Sequence, residues 1–351
     1  MAGKQPSFIL CVVRAVAISL ICVIHVTKTF FSLIFCGWCC NIGHFFYEKP
    51  RKFKPSCLQG WNDKYIELKR VRMHYVEYGD SSKPLLLFVH GFPEFFYCWR
   101  NQIKYFGQKD YHVVAVDLRG YGETSRPHGY DNYDLAEVAG DLIELIPKLG
   151  HKKCILIGHD WGGATSWRFA MLRPDLIERM IVCNIYHPKV FSELLATPQQ
   201  RKKSWYFFLF QCNCVTKMYL KNQDYKYVEN IYRSKESGLC NPKNFTDQDL
   251  EAFKYNMSRP GAIDAMISYN QSAIRHFRPP VMSDDLIQPK TLIIFGEEDA
   301  ALSVEGAKMS LKLCRDARLE TIKNASHWVQ QDAPETVNKL IEDFISGVET
   351  I

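Results

Sequence analysis

The sequence predicts a doubly wound α/β fold, with a mostly parallel sheet, an inserted helical cap and an N-terminal membrane anchor. Three observations lead to this prediction. Short, continuously apolar runs alternate with helical patterns, which is typical of parallel strands buried on both faces. Roughly 105 residues with little strand signal separate two of these runs, which is too long for one crossover and indicates an inserted cap. An apolar run near the N-terminus approaches the length that crosses a bilayer.

The N-terminal segment carries the whole net charge of the 351-residue chain, which is +6. Residues 1–57 contain seven Lys and Arg residues against one acid, Glu48, so the rest of the chain is neutral. The apolar run at 8–26 continues into a second one at 30–40 without a small-residue cleavage site, which favours an uncleaved anchor over a signal peptide. A basic excess confined to one end argues against nucleic-acid binding.

The charges around this apolar run predict where the protein lies. Four basic residues follow the run between positions 49 and 54, against Lys4 in front of it. The positive-inside rule therefore predicts that the C-terminal domain lies in the cytosol. We expect a single-pass anchor in the endoplasmic reticulum or microsomal membrane. Because Arg14 places a charge within the apolar run, a helix that lies in the membrane interface and a re-entrant hairpin stay open as alternatives.

Beyond Trp61 the sequence predicts the elements of one large domain. Residues 65–78 alternate like a β-hairpin. Continuous apolar runs predict buried strands at 84–89, 113–116, 154–157, 180–183 and 291–295. Helical patterns follow at 135–149, 164–172 and 334–345. The predicted division is 1–57 for the anchor and basic linker, 58–186 and 289–351 for the two parts of the core, and 187–288 for the cap.

The motif GHDWGG at 158–163 lies between a predicted strand and a predicted helix. A strand, a Gly-x-nucleophile-x-Gly turn and a helix form a nucleophile elbow, whose sharp turn raises one side chain above the sheet. That residue is Asp160, not Ser or Cys. A carboxylate is a poor acyl-transfer nucleophile, but it displaces at saturated carbon and forms an alkyl ester. Epoxides and alkyl halides combine such a carbon with a leaving group.

The motif HGFP at 90–93 follows the predicted strand at 84–89. In this architecture the loop after that strand supplies one backbone N–H of an oxyanion hole, and the residue after the nucleophile supplies the other. The sequence therefore predicts Phe92 and Trp161 as the two donors. Such a hole suits the attack of water on an ester of Asp160.

The order nucleophile, acid, histidine predicts the remaining partners near the C-terminus. His327 is the expected general base that activates water, and Asp299 is the acid expected to orient its imidazole. Glu297 and Glu298 stay open as rivals for the acid. Other histidines are expected on the surface or in loops, namely His74, His112 and His151.

From about Trp61 to the C-terminus, the sequence resembles the epoxide hydrolase branch of the α/β-hydrolase family, in particular its membrane-anchored epoxide hydrolase 3/4 type. The resemblance rests on HGFPE at 90–94, DLRGYG at 117–122, GHDWGG at 158–163 and SHWVQQD at 326–332. It implies a cis peptide between Phe92 and Pro93, Asp160 as nucleophile, and an Asp299–His327 pair. It also implies two cap tyrosines that protonate the epoxide oxygen.

Only one of these two tyrosines is present at its expected place. The segment WYFFLFQ at 205–211 matches the first and identifies Tyr206 as a proton donor. At the second, Asn270 stands where the family pattern has Tyr, and Tyr269 lies one place early, about 100° away around a helix. Asn270 donates a hydrogen bond but cannot give up a proton as a phenol does. Tyr269 stays a candidate second donor, with Asn270 and Trp161 as candidate substrate-binding residues.

The sequence thus predicts first an epoxide hydrolase that forms vicinal diols. The aromatic cap and the anchor suggest apolar, lipid-type epoxides and contact with membrane lipid. Nothing requires a metal or an organic cofactor, and the sequence does not fix the oligomeric state. Two alternatives stay open. A haloalkane dehalogenase would need a second halide donor beside Trp161, and a degenerate hydrolase acting as a binder would explain Asn270.

Overall fold

The structure, a computed structural model, describes residues 8–39, 47–276 and 286–347, with side chains from residue 19 onward and none described at 36–39. An eight-stranded sheet lies at its centre, in the order β1-β2-β4-β3-β5-β6-β7-β8. The strands are β1 (Asp63–Glu67), β2 (Arg72–Gly79), β3 (Leu85–Val89), β4 (His112–Val116), β5 (Cys154–His159), β6 (Ile177–Cys183), β7 (Lys290–Gly296) and β8 (Ala317–Ile322).

The sheet is antiparallel at one edge and parallel elsewhere, which confirms the predicted mostly parallel sheet. β1 pairs with β2, and β2 with β4, in antiparallel register. From β4 to β8 all neighbours are parallel. Every residue of β3, β4 and β5 is buried, because helices cover both faces of the central strands.

The helices fall into four groups along the chain. The N-terminal helix is α1 (Phe8–Cys39). Core helices before the cap are α2 (Arg100–Phe106), α3 (Leu135–Lys148) and α4 (Trp161–Leu172). The helices between β6 and β7 are α5 (Pro188–Leu195), α6 (Pro198–Lys203), α7 (Trp205–Leu209), α8 (Asn213–Arg233), α9 (Asp247–Ser258) and α10 (Ala262–Arg275). The last core helices are α11 (Val304–Leu311), α12 (Val329–Asp332) and α13 (Pro334–Ser346).

The segment between β6 and β7 forms a helical cap in its described residues. Helix α9 begins with a capping box, in which Thr246 and Asp249 exchange side-chain and backbone hydrogen bonds. Residues 277–285, which lead back to the core, lie outside the described residues. The division of the chain into core and cap at residues 186 and 288 stays a prediction.

Helix α8 is interrupted at residues 222–225, where the backbone is not helical. Asp224, at φ +57°, sits in the left-handed region, and its carboxylate accepts hydrogen bonds from both terminal nitrogens of Arg51, at 2.6 and 2.8 Å. Glu251 on α9 binds the Arg51 Nε at 2.9 Å. The side chain of Arg51 is only 3% exposed, so this part of the expected basic linker is packed against the cap.

Helix α1 lies against α7 and α8 of the cap, where the His25 ring stacks on Phe208 at 6.0 Å. Among the described residues, no helix combines the length and the apolar character that crossing a membrane requires. The predicted spanning anchor therefore gains no support from them. The side chains of residues 8–18, which form the first half of the apolar run, lie outside the described residues.

Two histidines expected on the surface are buried instead. His74 on β2 contacts Asp117 at 2.7 Å, and His112 on β4 contacts Glu77 at 2.8 Å. The expectation is wrong for both because carboxylates from neighbouring segments pair with the imidazoles and make their burial tolerable. His151, in the loop after α3, is half-buried and contacts His112 at 2.7 Å.

Candidate active site

The nucleophile elbow lies between the end of β5 and the start of α4. Asp160 has φ +49° and ψ −119°, a backbone conformation that costs an L-residue on the order of 1–3 kcal/mol. A Cβ atom on Gly162 would lie 2.2 Å from the carbonyl oxygen of Val89, so only glycine lets α4 approach β3 this closely. The turn holds the Asp160 side chain at the carboxyl ends of the parallel strands, where open α/β sheets bind ligands.

The two carboxylate oxygens of Asp160 have different partners. The backbone N–H of Phe92 donates to Oδ1 at 2.8 Å, while Oδ2 lies 3.6 Å from Nε2 of His327. The loop after β3 contacts the carboxylate directly, since a Cβ atom on Gly91 would lie 2.6 Å from Oδ1. Glycine at 91 is therefore required for this approach.

The expected oxyanion-hole donors lie on the two segments that meet at Asp160. The amide of Phe92 already binds Oδ1, and Trp161 is the first residue of α4, where the helix supplies no acceptor for its N–H. The peptide bond between Phe92 and Pro93 is cis, as the resemblance implies.

The imidazole of His327 lies between two carboxylates. Its Nδ1 contacts Oδ2 of Asp299 at 2.8 Å, on the side opposite Asp160. Asp299 is itself held by Asn184, whose amide donates to Oδ2 at 2.7 Å, and by the N–H groups of Ala301 and Leu302. These contacts fix the carboxylate that orients His327.

The rival acids Glu297 and Glu298 make no such contact with His327. Both are exposed, and Glu297 accepts a hydrogen bond from the hydroxyl of Thr321 at 2.8 Å. The geometry therefore favours Asp299 as the orienting acid.

The charges in the site shift the pKa values of all three groups. Burial alone would lower the pKa of His327, but Asp299 and Asp160 outweigh it and raise that pKa well above its ordinary value. Burial alone would raise the pKa of Asp160, but the hydrogen bond and charge of His327 hold it below its usual range. The pKa of Asp299 is lowered against its burial by the charge of His327. The resting site thus favours an imidazolium between two carboxylates.

A buried acid that the sequence analysis left without a role, Glu94, connects the loops of the site. One of its oxygens accepts from the N–H of Gly91 at 3.0 Å and contacts His159 at 2.7 Å. The other accepts from the amides of Gln330 and Gln331, both at 3.0 Å. A carboxylate inside an apolar motif is a sequence signal of such a role, but two of its partners, Gln330 and Gln331, lie near the other end of the chain.

Tyr206 lies on α7 of the cap and is linked through Phe210 to the loop after β3. Its ring is 5.7 Å from that of Phe210, which in turn lies 5.6 Å from the ring of Phe92. Burial, with the charges of Asp160 and Asp299, raises the pKa of Tyr206, so the phenol stays protonated. A protonated hydroxyl near the nucleophile suits a proton donor.

Tyr269 and Asn270 occupy different environments on α10. The Tyr269 hydroxyl donates to the carbonyl oxygen of Arg119 at 2.9 Å, and its ring lies 5.7 Å from that of Trp161. Asn270 is fully buried, and neither polar atom of its side chain has a partner among the described residues. The structure thus brings Asp160, His327 and Asp299 together, while it engages the Tyr269 hydroxyl elsewhere.

Comparisons with known proteins add independent findings. The family model described as alpha/beta hydrolase fold matches residues 84–334. Epoxide hydrolase 1 of Caenorhabditis elegans is 42% identical, with 90% of this chain and 78% of the relative covered. Epoxide hydrolase 4 of Homo sapiens is 36% identical, with 90% and 92% covered. The crystal structure of Bacillus megaterium epoxide hydrolase in complex with an inhibitor matches with a TM-score of 0.72 at 28% identity, covering 81% of this chain and 100% of that chain.

Proposed function

The chain belongs to the epoxide hydrolases of the α/β-hydrolase family and its reaction is epoxide hydrolysis, and we propose that this reaction runs through an alkyl ester on Asp160. One observation carries the proposal. A carboxylate stands at the nucleophile elbow, with Oδ1 bound to the Phe92 amide and Oδ2 directed to His327. This arrangement leaves one oxygen to attack and holds the other where negative charge later develops.

In the first step Oδ2 of Asp160 attacks an epoxide carbon. The new C–O bond forms as the ring C–O bond breaks, and the electron pair of the broken bond goes to the epoxide oxygen. That oxygen takes a proton from the hydroxyl of Tyr206, because an alkoxide is a poor leaving group without a donor. The products are an ester on Asp160 and a free hydroxyl group on the adjacent carbon.

The ester changes the charge balance around His327. Esterification removes the negative charge of Asp160, which helps to raise the pKa of His327 in the resting site. The imidazolium becomes more acidic, and its proton replaces the one that Tyr206 gave up. The neutral imidazole is then ready to act as a base, still oriented by Asp299.

In the second step His327 removes a proton from water, and the water oxygen attacks the ester carbonyl carbon. Negative charge develops on Oδ1, where the N–H groups of Phe92 and Trp161 stabilise it. Losing one such donor costs an enzyme on the order of 3 kcal/mol of transition-state stabilisation. The intermediate collapses as the ester C–O bond breaks, and His327 gives the proton taken from water to the leaving diol oxygen. The new carboxyl group then passes its proton to His327, which regenerates the Asp160 carboxylate with one oxygen from water.

A single turnover in ¹⁸O-labelled water tests this sequence of steps. With enzyme in excess over styrene oxide, we expect the label in the Asp160 carboxylate and none in the first diol formed. Direct attack of water on the epoxide would instead place ¹⁸O in the diol at the first turnover. That outcome would contradict an ester intermediate.

We propose further that the substrate is apolar and lipid-like and that α1 holds the enzyme at a membrane. Five exposed apolar residues share the face of α1 that is turned away from the cap, namely Leu20, Val23, Ile24, Phe31 and Phe35. A helix needs only one apolar face to lie in the bilayer interface. Lys49 and Lys52, the exposed basic residues that follow α1, suit anionic headgroups on the cytosolic side of the endoplasmic reticulum.

Vesicle binding tests the membrane proposal. We expect the full chain to co-sediment with vesicles that contain phosphatidylserine, and the double substitution Val23→Glu and Ile24→Glu to reduce this binding by at least about tenfold. Lys69→Glu, in the exposed turn between β1 and β2, serves as a control for added negative charge. Equal binding of all three proteins would contradict the proposal.

A further inference from the structure

A second cap tyrosine, Tyr227, lies beside Phe92, the residue whose amide binds the nucleophile. It follows the interruption of α8, and its ring is 6.3 Å from that of Phe92. The amide of Phe92 is the group that binds Oδ1 of Asp160 at 2.8 Å. Tyr227 therefore flanks the oxyanion loop, as Tyr206 does through Phe210.

The hydroxyl of Tyr227 is not engaged in holding the fold. Among the described residues this hydroxyl has no hydrogen-bond partner. Its oxygen is also absent from the set of enclosed polar atoms that lack a partner, so it is not sealed inside the fold. Burial raises the pKa of Tyr227 well above its ordinary value, and the nearby Tyr219, Tyr206 and Asp160 raise it further. Tyr227 thus presents a protonated, unengaged hydroxyl close to both Tyr206 and the nucleophile.

We propose that Tyr227 is a second catalytic phenol, which donates a hydrogen bond to the epoxide oxygen together with Tyr206. This inference rests on the proposed function, because it concerns the step in which Asp160 opens the ring. An epoxide oxygen has two lone pairs and becomes an alkoxide as the ring opens, so two donors stabilise the developing charge better than one. Tyr206 on α7 and Tyr227 on α8 supply them from two neighbouring helices.

The other candidates for this second donor fit less well. The Tyr269 hydroxyl donates to the carbonyl of Arg119, and moving it would leave that buried carbonyl without this partner. Asn270 has an amide, which donates a hydrogen bond but holds its proton. The hydroxyl of Tyr227 has no such hydrogen bond to lose, and a phenol is able to give up its proton.

The interruption of α8 sets the position of Tyr227. Gln223, Asp224 and Tyr225 all have positive φ, so the second half of the helix starts in a new direction two residues before Tyr227. Arg51 holds Asp224, and the Tyr225 hydroxyl donates to Glu48. Contacts from the segment before the core therefore hold the turn that places this phenol.

Transient kinetics of Tyr227→Phe test the proposal. Rapid-quench mass spectrometry with excess enzyme and styrene oxide measures formation and decay of the ester separately. We expect ester formation to slow by roughly tenfold, less than the 10²–10⁴ typical of a single general acid because Tyr206 remains. Ester decay should keep its wild-type rate, because the phenol acts only on the epoxide oxygen. A purely structural effect would slow both steps.

Two further variants complete the test. Tyr219→Phe, which removes the hydroxyl of the ring 5.5 Å from Tyr227, is the matched control and should form the ester at the wild-type rate. Adding Asn270→Tyr to Tyr227→Phe should restore part of the lost rate, by supplying a phenol from α10. Wild-type ester formation in Tyr227→Phe, or equal slowing of both steps, would overturn the assignment. Failure of the wild-type protein to form any ester would instead refute the proposed function.

Discussion

At the scale of single residues, the unequal partners of the Asp160 oxygens determine the course of the reaction. Oδ1 is bound by the Phe92 amide before any substrate arrives, and Oδ2 faces the imidazolium of His327. Because Asp160 adds to the effect of Asp299 in raising the pKa of His327, esterification of Asp160 in the first step favours the neutral imidazole that acts as the base in the second. This coupling makes a prediction about the free enzyme.

The substitution Asp160→Asn should lower the pKa of His327. The carboxylate of Asp160 is one of the two charges that raise this pKa against burial, and an amide removes that charge while keeping the shape. Titration of the histidine ring signals by NMR checks the result. Asn184→Asp, which adds a charge next to Asp299, should have the opposite effect, so a pKa that is unchanged in both variants would contradict the electrostatic account.

Replacing the acid that orients His327 should reduce turnover strongly. We expect Asp299→Ala to lower kcat by about 10²–10⁴, because the imidazole loses the partner at 2.8 Å that fixes its orientation. Glu297→Gln and Glu298→Gln are matched controls on the same loop and should keep nearly full activity. A larger loss of kcat in either control than in Asp299→Ala would show that Asp299 is not the acid that orients His327.

The sequence was sufficient to predict the positions of those site residues whose motifs directly follow a recognisable strand. Asp160 and Phe92 each follow a continuous apolar run, so the edge of the sheet on which they lie was predictable. Tyr227 follows no such run, and its position depends on three residues with positive φ, none of them glycine. Local propensity gives no warning of such a turn, because distant contacts with Glu48 and Arg51 stabilise it.

At the scale of elements, the segment before β1 stabilises the cap. Arg51 has its guanidinium between Asp224 on α8 and Glu251 on α9, although it lies about 170 residues before the first of these in the sequence. From sequence this segment was taken for a basic linker, since a run of Lys and Arg residues does not reveal which of them find a carboxylate. The packing predicts a measurable effect on stability.

Arg51→Ala should lower the free energy of unfolding by about 1–3 kcal/mol, the range for hydrogen bonds to charged groups that leave a partner unsatisfied. Urea denaturation followed by circular dichroism measures the change. Lys52→Ala is the matched control, because Lys52 is the next residue and is exposed. If both variants unfold at the same urea concentration as the wild type, the contact with Asp224 contributes nothing to stability.

At the scale of the whole molecule, the buried charges should confine maximal stability to a window of pH. Asp117, Asp160 and Asp299 have lowered pKa values in the fold, so their stabilisation is present above about pH 4 and is lost as the pH falls through the lower folded values. His327 has a raised pKa, so its stabilisation is full below about pH 6.5 and is lost as the pH rises through the folded value.

Melting temperatures of the wild type and of His327→Gln, measured from below to above about pH 6.5, check the expected loss of stability at high pH. The advantage of the wild type should be largest below about pH 6.5 and should shrink as the pH rises. An advantage that grows with pH would show that His327 is neutral in the resting fold.

The central sheet and the cap were largely predictable because each strand from β3 to β7 contains a continuous apolar run, and a long segment without strands between two such runs indicates an inserted helical layer. The packing of the N-terminal helix on the cap was not predictable. The apolar character of this segment indicated a membrane anchor, whereas its contact with the cap through His25 and Phe208 depends on residues far along the chain.

Mass spectrometry of His327→Gln incubated with styrene oxide tests the central claim, the ester on Asp160, most directly. Without the base, the ester should form and persist, and we expect the peptide that contains Asp160 to gain the mass of the epoxide. Adding Asp160→Asn to this variant should abolish the adduct. If the wild-type protein hydrolyses styrene oxide while His327→Gln carries no adduct on Asp160, the covalent mechanism is contradicted.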